Sequence, residues 1–507
     1  MEIDWLGRLT LWAYVIVLSL LCIYGLHRYF LVMTFYRVRR NEAAPPARFA
    51  ELPLITVQLP MFNERFVAQR IIERACAIEY PRERLEIQVL DDSTDETVEI
   101  ARQTVERMRA AGHNVVYIHR TNRTGYKAGA LEAGLKVAKG EFIAIFDADF
   151  IPPPNILLDT VHHFTDAGVA MVQCRWDHLN RSTSLLTHAQ AILLDGHFVI
   201  EHTARNRSGR YMSFNGTAGV WRRAAIEQAG GWQHDTLTED LDLSYRAQLC
   251  GWRFVFLPTL TSPAELPPEM NAFKAQQHRW TKGGAQTCVK LLPRVLRSDA
   301  PWRVKLEAFF HLTSCFVYVL MVLLSILIGP AIILKIALNE QPTFWQAFFD
   351  SALFFVGTGS ALIFYIVGQR HLAKSWFEIL LYIPALIAIG IGIAFNNAIA
   401  AVEGFFGKAG EFVRTPKFGE KAHSSTGGWE KRLGGFAFRG AWKAWAELAL
   451  GVYMTAWLGI LLLMPDGFKR MLGALPFLGL FIFGYFYVAG QTFYGQWLAA
   501  RDRVVAA

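Results

Sequence analysis

Long apolar segments divide this chain of 507 residues into three parts. Residues 9–26 carry no charged side chain, and such a run of roughly 18 residues is just long enough to cross the core of a bilayer. The hydrophobic content of 53%, against 19% charged residues, is too high for an ordinary soluble domain. After residue 305, further apolar stretches follow at 309–338, 344–367, 377–402, 445–464 and 472–488. The pattern predicts an integral membrane protein with an N-terminal membrane helix within 1–40, a soluble domain at 41–300 and a transmembrane region at 301–507.

Basic residues indicate the orientation of the first helix. Only Arg8 precedes residues 9–26, whereas Arg28, Arg37 and Arg39 follow them. Because Lys and Arg mark the cytoplasmic flank of a membrane helix, we expect the soluble domain in the cytoplasm, and the protein in a plasma membrane of the bacterial inner-membrane type. The net charge of +8 then belongs to the cytoplasmic face, and no basic patch with interleaved aromatic residues indicates a nucleic-acid partner.

The soluble region alternates short apolar runs with helical patterns. Strands that are largely apolar and alternate with helices are typical of a mainly parallel α/β sheet that is covered on both faces. Ligands in such sheets bind at the carboxyl ends of the strands. The sequence contains no GxGxxG and no GxxxxGK(S/T) segment, so these phosphate-binding motifs are excluded. We expect strands at 54–60, 85–90, 114–120, 142–146 and 169–176, with helices at 64–78, 94–111, 126–138 and 155–164.

One apolar run, FIAIFDADF at 142–150, ends in two carboxylates, Asp147 and Asp149. Like charges placed so close repel each other unless something positive lies between them. A divalent ion such as Mg²⁺ takes oxygen ligands, usually one or two carboxylates together with substrate phosphates. The pair therefore predicts a cation site at the edge of the sheet, although solvated loop acids would give the same triplet.

Other predicted strands end in polar residues at the same edge. Asp91 and Asp92 end the second strand, and their carboxylates are suited to accept hydrogen bonds from the N–H groups of a nucleotide base. Arg123 and Lys127 follow the third strand and are suited to a diphosphate, although both would also serve as plain surface charges. Together with the carboxylate pair described above, these residues predict a nucleotide site.

A second acidic group begins a predicted helix within 235–252. Thr238, Glu239 and Asp240 stand at its head, where carboxylates often do no more than compensate the helix dipole. The functional alternative is that Asp240 is a general base, which takes a proton from an attacking hydroxyl. Such a base suits transfer at an oxocarbenium-like sugar centre whose leaving group departs with metal assistance.

A polar and aromatic cluster follows at 272–286. Gln276, Arg279 and Trp280 place an amide, a guanidinium and an indole within about one helical turn. Arg neutralises phosphate in a bidentate manner, and the indole face is suited to stack on a sugar. An amphipathic helix lying on the membrane surface, with Trp280 at the interface, would also account for this segment.

Seven short motifs occur in an order that resembles a known family. They are NE at 63–64, DDSTD at 91–95, YKAGAL at 126–131, DADF at 147–150, FNGTAG at 214–219, TED at 238–240 and QQHRW at 276–280. Over about residues 54–282 the chain resembles membrane-embedded family 2 glycosyltransferases of the cellulose synthase superfamily, with a likeness to the cellulose-synthase-like A synthases of mannan and glucomannan. The implied fold is a cytoplasmic GT-A domain, Rossmann-like with a mainly parallel sheet, joined to an all-α transmembrane region.

The resemblance implies a processive inverting glycosyltransferase that polymerises a β-linked hexose polysaccharide from GDP-mannose or UDP-glucose and moves the chain across the membrane. It implies Asp240 as the base, with Glu239 beside it, and a divalent cation, Mg²⁺ or Mn²⁺, on Asp149 and Asp147. Gln277 departs from the family pattern, because bacterial cellulose synthases usually carry Arg there. The residues implied to bind the nucleotide-sugar donor are Asn63, Glu64, Asp91, Asp92, Arg123, Lys127, Asp147, Gln276 and Arg279. Those implied to bind the acceptor are Phe214, Asn215, Gly216, Thr217 and Trp280.

The membrane half contains GEFVRTPKFG at 410–419, which is similar to the FxVTxK gating loop that covers the active site of cellulose synthases. Phe412, Thr415 and Lys417 match that pattern, and Arg414 stands where the pattern has Val. We expect a gating-like cytoplasmic loop within 403–443. An ordinary basic loop next to the membrane is the alternative.

This loop creates a parity problem, because three apolar stretches separate it from Trp280. If all three crossed the membrane, the loop would lie outside the cell, yet its many basic residues indicate the cytoplasm. One stretch is therefore expected to be interfacial or re-entrant. Residues 377–402 are the candidate, because Pro384, Asn396 and Asn397 need protein or water around them.

Two other functions stay open at this point. An enzyme similar to ceramide glucosyltransferases would add one sugar to a membrane lipid acceptor, and it would share the QxxRW-type motif. A transporter with a nucleotide-sensing domain would tolerate Asp240→Asn. The expected partners are the nucleotide-sugar donor, a growing glycan or lipid acceptor and membrane lipids, with additional export proteins as further candidates.

Overall fold

The computed structural model describes residues 4–42, 44–338, 355–407, 410, 415–417, 419, 440–464 and 475–506. Within these residues, the soluble region forms one seven-stranded sheet, and the remaining part is helical. The predicted loop residues Phe412 and Arg414 lie outside the described residues. Parts of the apolar stretches 344–367 and 472–488 lie outside them as well.

The sheet is mixed and mostly parallel, as predicted. Its strands are β1 Ile55–Met61, β2 Leu85–Asp91, β3 Val115–His119, β4 Phe142–Ile145, β5 Val169–His178, β6 Gly219–Arg222 and β7 Arg253–Ala264. They lie side by side in the order β3-β2-β1-β4-β6-β5-β7. Neighbouring strands are parallel except at β6, which runs antiparallel to both β4 and β5.

The first five strands coincide with the predicted ones, whereas β6 and β7 were not predicted. β6 has only four residues, too few to show an alternating pattern. β7 contains Pro258 and Pro263, and proline argues against a strand unless that strand lies at the edge of a sheet. Because β7 does occupy the edge of the sheet, its prolines leave no neighbouring strand without a hydrogen-bond donor.

β1 and β2 are buried along their whole length, because helices cover both faces of the sheet. The predicted helix at 64–78 begins later, at Ala68, since Asn63 has a left-handed backbone (φ 54°) and a turn follows it. The helices up to the membrane region are α1 Trp5–Val38, α2 Ala68–Cys76, α3 Thr97–Ala110, α4 Tyr126–Val137, α5 Ile156–Val161, α6 Leu185–Gly196, α7 Thr203–Arg207, α8 Arg223–Gln228, α9 Glu239–Leu249 and α10 Met270–Arg297. Between α6 and α7 the chain forms a π-helical turn, His197–His202.

Seven further helices follow in the described residues: Trp302–Thr313, Val317–Leu338, Ser360–His371, Trp376–Gly392, Ala394–Phe405, Ala441–Leu463 and Leu475–Ala506. Together with α1, they form the helical part of the structure. Four helical segments there are long and apolar enough to cross a membrane: Trp5–Val38, Trp302–Ile336, Trp442–Leu463 and Leu475–Arg501. The apolar stretches that begin at residues 9, 309, 445 and 472 fall on these segments.

The stretch at 377–402 has a different form. Trp376–Gly392 and Ala394–Phe405 together are apolar enough for one span, but the two helices are bent by 47° where they meet. Such a pair is either a broken span or a re-entrant element. Asn396 and Asn397 are fully buried within protein, which is the environment that polar groups at this depth require. The bend thus agrees with the expectation that this stretch is not an ordinary straight span.

A buried ion pair joins α10 to the helix Ala441–Leu463. Lys274 Nζ lies 2.7 Å from Glu447 Oε2, and both side chains are completely buried. The side-chain amide of Asn396 donates to the backbone oxygen of Lys274 at 3.0 Å. Burial lowers the pKa of Lys274, and the Glu447 carboxylate opposes that shift. Because neither charge is hydrated, each depends on the other for its stability.

Replacing only one partner of this pair is therefore expected to be costly. Lys274→Met leaves Glu447 as an uncompensated buried charge and is expected to lower the free energy of unfolding by about 3 kcal/mol. The double variant Lys274→Met/Glu447→Leu is expected to recover most of that loss, because no charge then stays buried. Thermal unfolding of the purified protein in detergent micelles measures both effects.

The matched control is the solvated pair Arg65–Glu96, whose side chains are 41% and 71% exposed. Glu96→Gln is expected to change the free energy of unfolding by less than about 1 kcal/mol, because exposed ion pairs contribute little. A Lys274→Met variant that is no less stable than the Glu96→Gln variant would contradict this account of the buried pair.

Candidate active site

A cavity of about 180 Å³ lies at the carboxyl ends of β1, β2 and β4, where α9 and α10 approach the sheet. This is the position at which open α/β sheets bind their ligands. The structure brings most of the predicted site residues together there. Those that line the cavity are Glu64, Asp92, Arg123, Lys127, Asp147, Asp149, Asn215, Gly216, Glu239, Asp240, Gln276, Arg279, Trp280, Thr415 and Lys417.

The two carboxylates that follow β4 each contact a lysine. Lys127 Nζ lies 2.5 Å from Asp147 Oδ1, and Lys417 Nζ lies 2.5 Å from Asp149 Oδ2. The Asp147 backbone N–H donates to Thr217 Oγ1 at 2.9 Å, which fixes the loop that carries both acids. The positive charge that this carboxylate pair requires is thus supplied by two ammonium groups from distant parts of the chain.

Asp147 and Asp149 also fit a divalent cation. Within the described part of the chain, no group of three or more His, Cys, Asp or Glu side chains is placed to hold a metal ion. A hard cation such as Mg²⁺ does not need such a group, because it commonly takes one or two carboxylates and completes its shell with phosphate oxygens and water. Two carboxylates at the mouth of a cavity that also holds several basic side chains match that mode of binding.

Asp240 lies in the first turn of α9 and has an unusual pKa. Burial, followed by repulsion from the Glu239 carboxylate, raises the pKa of Asp240 to about 7. Burial likewise raises the pKa of Glu239, although Lys127 opposes that shift. The Leu241 backbone N–H donates to Asp240 Oδ1 at 2.7 Å, so this oxygen is held in place while Oδ2 faces the cavity side. A carboxylate with a pKa near neutrality is a suitable general base.

Lys127 connects three parts of the site. Besides its ion pair with Asp147, its ammonium donates to the backbone oxygen of Gly216 at 2.9 Å. Burial alone would lower the pKa of Lys127, but the negative charges of Asp147 and Glu239 outweigh burial and raise it. Lys127 therefore carries a full positive charge beside the carboxylates.

Gly216 lies where the loop 215–217 approaches Asp240. Its backbone is left-handed, with φ of 80°, a conformation that glycine adopts without penalty. A Cβ atom at this position would lie 2.9 Å from Asp240 Oδ2 and 3.3 Å from Lys127 Nζ. The absence of a side chain therefore leaves room next to the carboxylate oxygen that faces the cavity.

Of the four charged residues Asp91, Asp92, Arg120 and Arg123, only Asp92 and Arg123 line the cavity. Arg120 forms a bidentate ion pair with Asp92, with Nε 2.7 Å from Oδ1 and Nη2 2.5 Å from Oδ2. The Arg123 guanidinium lies 3.4 Å from the centre of the Phe62 ring, a cation–π contact. Asp91 does not line the cavity, because its carboxylate accepts the backbone N–H of Ser93 at 2.9 Å and the Tyr117 hydroxyl at 2.6 Å.

Three further predicted residues lie behind the cavity and not in its lining. Asn63 ties the end of β1 to the next loop, because its backbone N–H donates to Ser93 Oγ at 2.8 Å. The ring of Phe214 is fully buried and packs edge-to-face against Trp221 at 5.6 Å. Thr217 is buried as well, and its contact with Asp147 gives it a positioning role.

α10 and the segment 415–417 supply further lining residues of the cavity. Gln276, Arg279 and Trp280 all line it, as do Thr415 and Lys417. Burial lowers the pKa of Arg279, against the attraction of Glu239 and Asp147. The part of the predicted gating-like loop that the structure describes thus reaches the site directly.

Sequence reasoning missed several residues that shape the site. Arg120 follows β3 directly, so the rule that selected the other strand ends would have found it. Glu265 comes after the unpredicted strand β7 and pairs with Arg70, whose Nη2 lies 2.7 Å from Glu265 Oε1. His178 lines the cavity and lies 3.2 Å from the Asp195 carboxylate on α6, a long-range contact with no local sequence signal.

Comparison with known proteins found a matching family model and several relatives. Residues 53–283 match the family model described as glycosyltransferase like family 2. The chain is 43% identical to glucomannan 4-beta-mannosyltransferase 1 of Oryza sativa subsp. japonica over 259 residues, which is 50% of each protein. It is 35% identical to glucomannan 4-beta-mannosyltransferase 7 of Arabidopsis thaliana over 399 residues, which is 76% of this chain and 68% of that protein. The chain spans about half the length of several of these relatives.

A solved structure shares the fold of this chain. The mannosyltransferase PcManGT of Pyrobaculum calidifontis, in complex with GDP-Man and Mn²⁺, superposes with a TM-score of 0.51 at 22% sequence identity. The superposition covers 77% of this chain and 100% of that one. The likeness supports the GT-A-like architecture of the mostly parallel sheet.

Proposed function

We propose that this chain, which belongs to the glucomannan 4-beta-mannosyltransferase family within glycosyltransferase family 2, is a processive inverting hexosyltransferase. In this proposal it builds a β-linked polysaccharide of the mannan or glucomannan type from a nucleotide sugar and passes the product across the membrane. The observation that carries the proposal is the placement of Asp240, with its raised pKa, in the same cavity as Asp147, Asp149, Lys127 and Arg279.

The proposed reaction is a single displacement at the anomeric carbon of the donor sugar. An acceptor hydroxyl oxygen forms a bond to that carbon while its proton passes to Asp240 Oδ2. The bond between the same carbon and the diphosphate oxygen breaks, and its electron pair leaves with the nucleoside diphosphate. Because the nucleophile and the leaving group occupy opposite faces of the carbon, an α-linked donor gives a β-linked product.

The chain's own residues have separate tasks in this proposal. Asp240 Oδ1 is held by the Leu241 backbone N–H, so that Oδ2 meets the acceptor in the space beside Gly216. Arg279 and Lys127 lie where positive charge stabilises a departing diphosphate. Trp280 offers an indole face for the acceptor sugar, and Lys417 brings a further ammonium to the diphosphate side.

We place a divalent cation, Mn²⁺ or Mg²⁺, on Asp147 and Asp149. When bound with the donor, it would neutralise the charge that develops on the diphosphate as the sugar leaves. Lys417 would then give up its contact with Asp149 in favour of the cation and meet the phosphates instead. The named relatives and PcManGT are mannosyltransferases, so GDP-mannose is the first donor to test and UDP-glucose the second.

Export of the product is proposed from the position of the site. The cavity is lined by α10, and α10 packs against the bent pair of helices and the helix Ala441–Leu463 through buried polar contacts. A chain that grows at Trp280 therefore starts next to the helices proposed to cross the membrane. The proposed location is a plasma membrane, with the sheet domain on its cytoplasmic side.

The deciding experiment uses the purified full chain in lipid nanodiscs. Radiolabelled GDP-mannose, UDP-glucose or UDP-N-acetylglucosamine is added with Mn²⁺ or Mg²⁺, and label is followed into ethanol-insoluble polymer and into organic-extractable lipid. We expect cation-dependent polymer from GDP-mannose, abolished by chelation. Label that appears only in the lipid fraction would replace this proposal with single-sugar transfer to a lipid acceptor.

Asp240→Asn is expected to lower polymer synthesis at least about 100-fold, because the amide cannot accept the proton. Asp299→Asn serves as the matched control, since Asp299 is exposed beyond the end of α10 and lies outside the cavity lining. A transporter with a nucleotide-sensing domain would give no polymer with either protein. Equal polymer synthesis by Asp240→Asn and Asp299→Asn would remove Asp240 from the proposed mechanism.

The raised pKa of Asp240 predicts a specific pH dependence. A general base acts only when deprotonated, so kcat/KM is expected to fall as the pH drops below about 7. Glu239→Gln removes the neighbouring negative charge, which favours ionised Asp240 and moves the midpoint of this fall to lower pH. Initial rates of polymer synthesis between pH 5 and 9 measure both midpoints, and a midpoint that Glu239→Gln leaves unchanged would contradict the assignment.

Gly216→Ala tests the space beside Asp240. The new Cβ is expected to displace the carboxylate or the Lys127 ammonium and to lower kcat at least about 100-fold, as small misplacements of catalytic groups do. Gly209→Ala is the matched control, because Gly209 has a similar left-handed φ of 69° and nothing within 4 Å of its Cβ position. If both variants lose the same activity, backbone strain and not the collision would be the cause.

A further inference from the structure

The side chain of Asn215 is held by two histidines behind the acceptor side of the cavity. His202 Nε2 lies 2.5 Å from Asn215 Oδ1, and His197 Nε2 lies 3.0 Å from Asn215 Nδ2. Both histidines belong to the π-helical turn His197–His202. The resemblance had suggested that Asn215 binds the acceptor, but one oxygen contact and one nitrogen contact of its amide are made within the protein.

The π-helical turn is what brings the two rings together. In an α-helix, residues five apart point about 140° away from each other around the axis, because each residue turns the chain by about 100°. A π-helix is wider and has fewer degrees per residue, so residues five apart fall closer to one face. The rings of His197 and His202 accordingly lie with their centres only 4.4 Å apart.

The hydrogen-bond partners of Asn215 indicate which ring nitrogen donates and which accepts. Asn215 Oδ1 only accepts, so His202 Nε2 carries its proton, and Asn215 Nδ2 only donates, so His197 Nε2 carries none. The proton of His197 therefore sits on Nδ1, which donates to Glu201 Oε2 at 2.8 Å. A flipped Asn215 amide would require protons on both nitrogens of His197.

The second ring nitrogen of His202, Nδ1, agrees with this assignment. His202 is completely buried, and its Nδ1 has no hydrogen-bond partner among the described residues. A proton on that nitrogen would be a buried, unpaired charge. Burial accordingly holds the pKa of His202 well below its usual range.

His197 is in turn linked, through Glu201, to α1 and to the helix Trp302–Thr313. Arg205 contacts Glu201 Oε2 at 3.2 Å and Glu307 Oε1 at 2.9 Å. His27 of α1 lies 3.0 Å from the other oxygen of Glu307. The Arg205 and Glu307 side chains are 3% and 2% exposed, so the ion pair between them is shielded from water.

The loop that Asn215 begins touches three of the charged groups used in the proposed reaction. The Gly216 oxygen accepts from Lys127, the Gly216 Cα faces Asp240, and Thr217 Oγ1 accepts the backbone N–H of Asp147. Gly216 follows Asn215 directly, so a displacement of Asn215 would reach Gly216 first. Anchoring this amide therefore fixes the backbone on which the base, the lysine and the first aspartate converge.

We propose that His197 and His202 are positioning residues that clamp the Asn215 amide and so hold the loop 215–217 in register with Asp240, Lys127 and Asp147. Neither histidine reaches the substrates in this role. The proposal about catalysis rests on the proposed function, whereas the clamp itself is a structural statement that can be tested without any sugar donor.

The first measurement is hydrogen–deuterium exchange of the protein in nanodiscs without ligand. His202→Leu removes the donor to Asn215 and is expected to speed amide exchange in 213–219 at least tenfold. His202→Gln keeps an N–H donor and is expected to exchange at a rate near that of the unchanged protein. His188→Leu is the control, since His188 is a buried histidine on α6 that stacks on Tyr382 and does not touch Asn215.

The second measurement compares kinetics of the same variants. His202→Leu is expected to lower kcat of polymer synthesis at least tenfold, because the loop that contacts Asp240 is then no longer held in place. His202→Gln is expected to restore most of kcat. Equal exchange in 213–219 for His202→Leu and His202→Gln, or equal kcat losses for both, would overturn the proposal.

A second pair of variants covers the case in which His202→Leu does not fold. His197 is 25% exposed and tolerates replacement more readily, and His197→Gln keeps an acceptor for the Asn215 amide while His197→Leu does not. The same contrast in exchange of 213–219 is expected between these two. If the unchanged protein makes no polymer from any donor but the exchange contrast is present, the proposed function fails and the clamp stands.

Discussion

Mutual repulsion among carboxylates in one cavity is the constraint on which the rest of this structure depends. Asp147, Asp149, Glu239 and Asp240 all line a space of about 180 Å³. Their charges are tolerable only because basic side chains from several elements reach the same space: Lys127 of α4, Arg279 of α10 and Lys417 of the loop after the bent helices. The sheet, the long helix and the loop are therefore joined at one electrostatic centre.

The balance of these charges also decides which acid acts as the base. Asp147 and Asp149 each have an ammonium at 2.5 Å, whereas Asp240 faces the negative charge of Glu239. The two aspartates that contact an ammonium are suited to hold positive charge. Asp240, with a pKa of about 7, is the one that can exchange a proton near neutrality.

The sequence predicted the sheet and its functional edge better than it predicted individual roles. The apolar runs predicted five strands and the polar residues at their ends. Parallel strands that are buried on both faces are apolar along their length, so the chain becomes polar where each strand ends. The adjacent residues Asp91 and Asp92 show the limit. Successive side chains point to opposite sides of a strand, so one of the two acids lines the cavity and the other turns into the protein. Only the three-dimensional structure distinguishes them.

Other parts of the site depend on contacts that no local pattern reveals. The pairing of Lys417 with Asp149 joins residues 268 positions apart in the chain. The clamp on Asn215 needs a π-helical turn, and a periodicity analysis based on 3.6 residues per turn places His197 and His202 on different faces. Both features are set by tertiary packing, which overrides the local preference of the sequence.

α10 explains why the cavity and the helices Ala394–Phe405 and Ala441–Leu463 form one unit. Residues four apart share one face of a helix, and α10 carries two such sets of residues on two different faces. One face of α10 carries Lys274, His278 and Lys282. Lys274 pairs with Glu447 of the helix Ala441–Leu463. His278 and Lys282 lie 3.4 and 3.1 Å from Glu403 of the helix Ala394–Phe405. Gln276, Arg279 and Trp280 occupy the opposite face and line the cavity.

A rigid helix with two such faces cannot move one set of side chains without the other. A shift of the bent pair of helices would act on Glu403 and therefore on α10, and it would displace Arg279 and Trp280 relative to Asp240. On the proposed function, the helices that conduct the product and the residues that transfer each sugar are thus mechanically linked through one element. Sugar transfer in this protein is expected to depend on intact packing of its membrane helices, and not on the sheet domain alone.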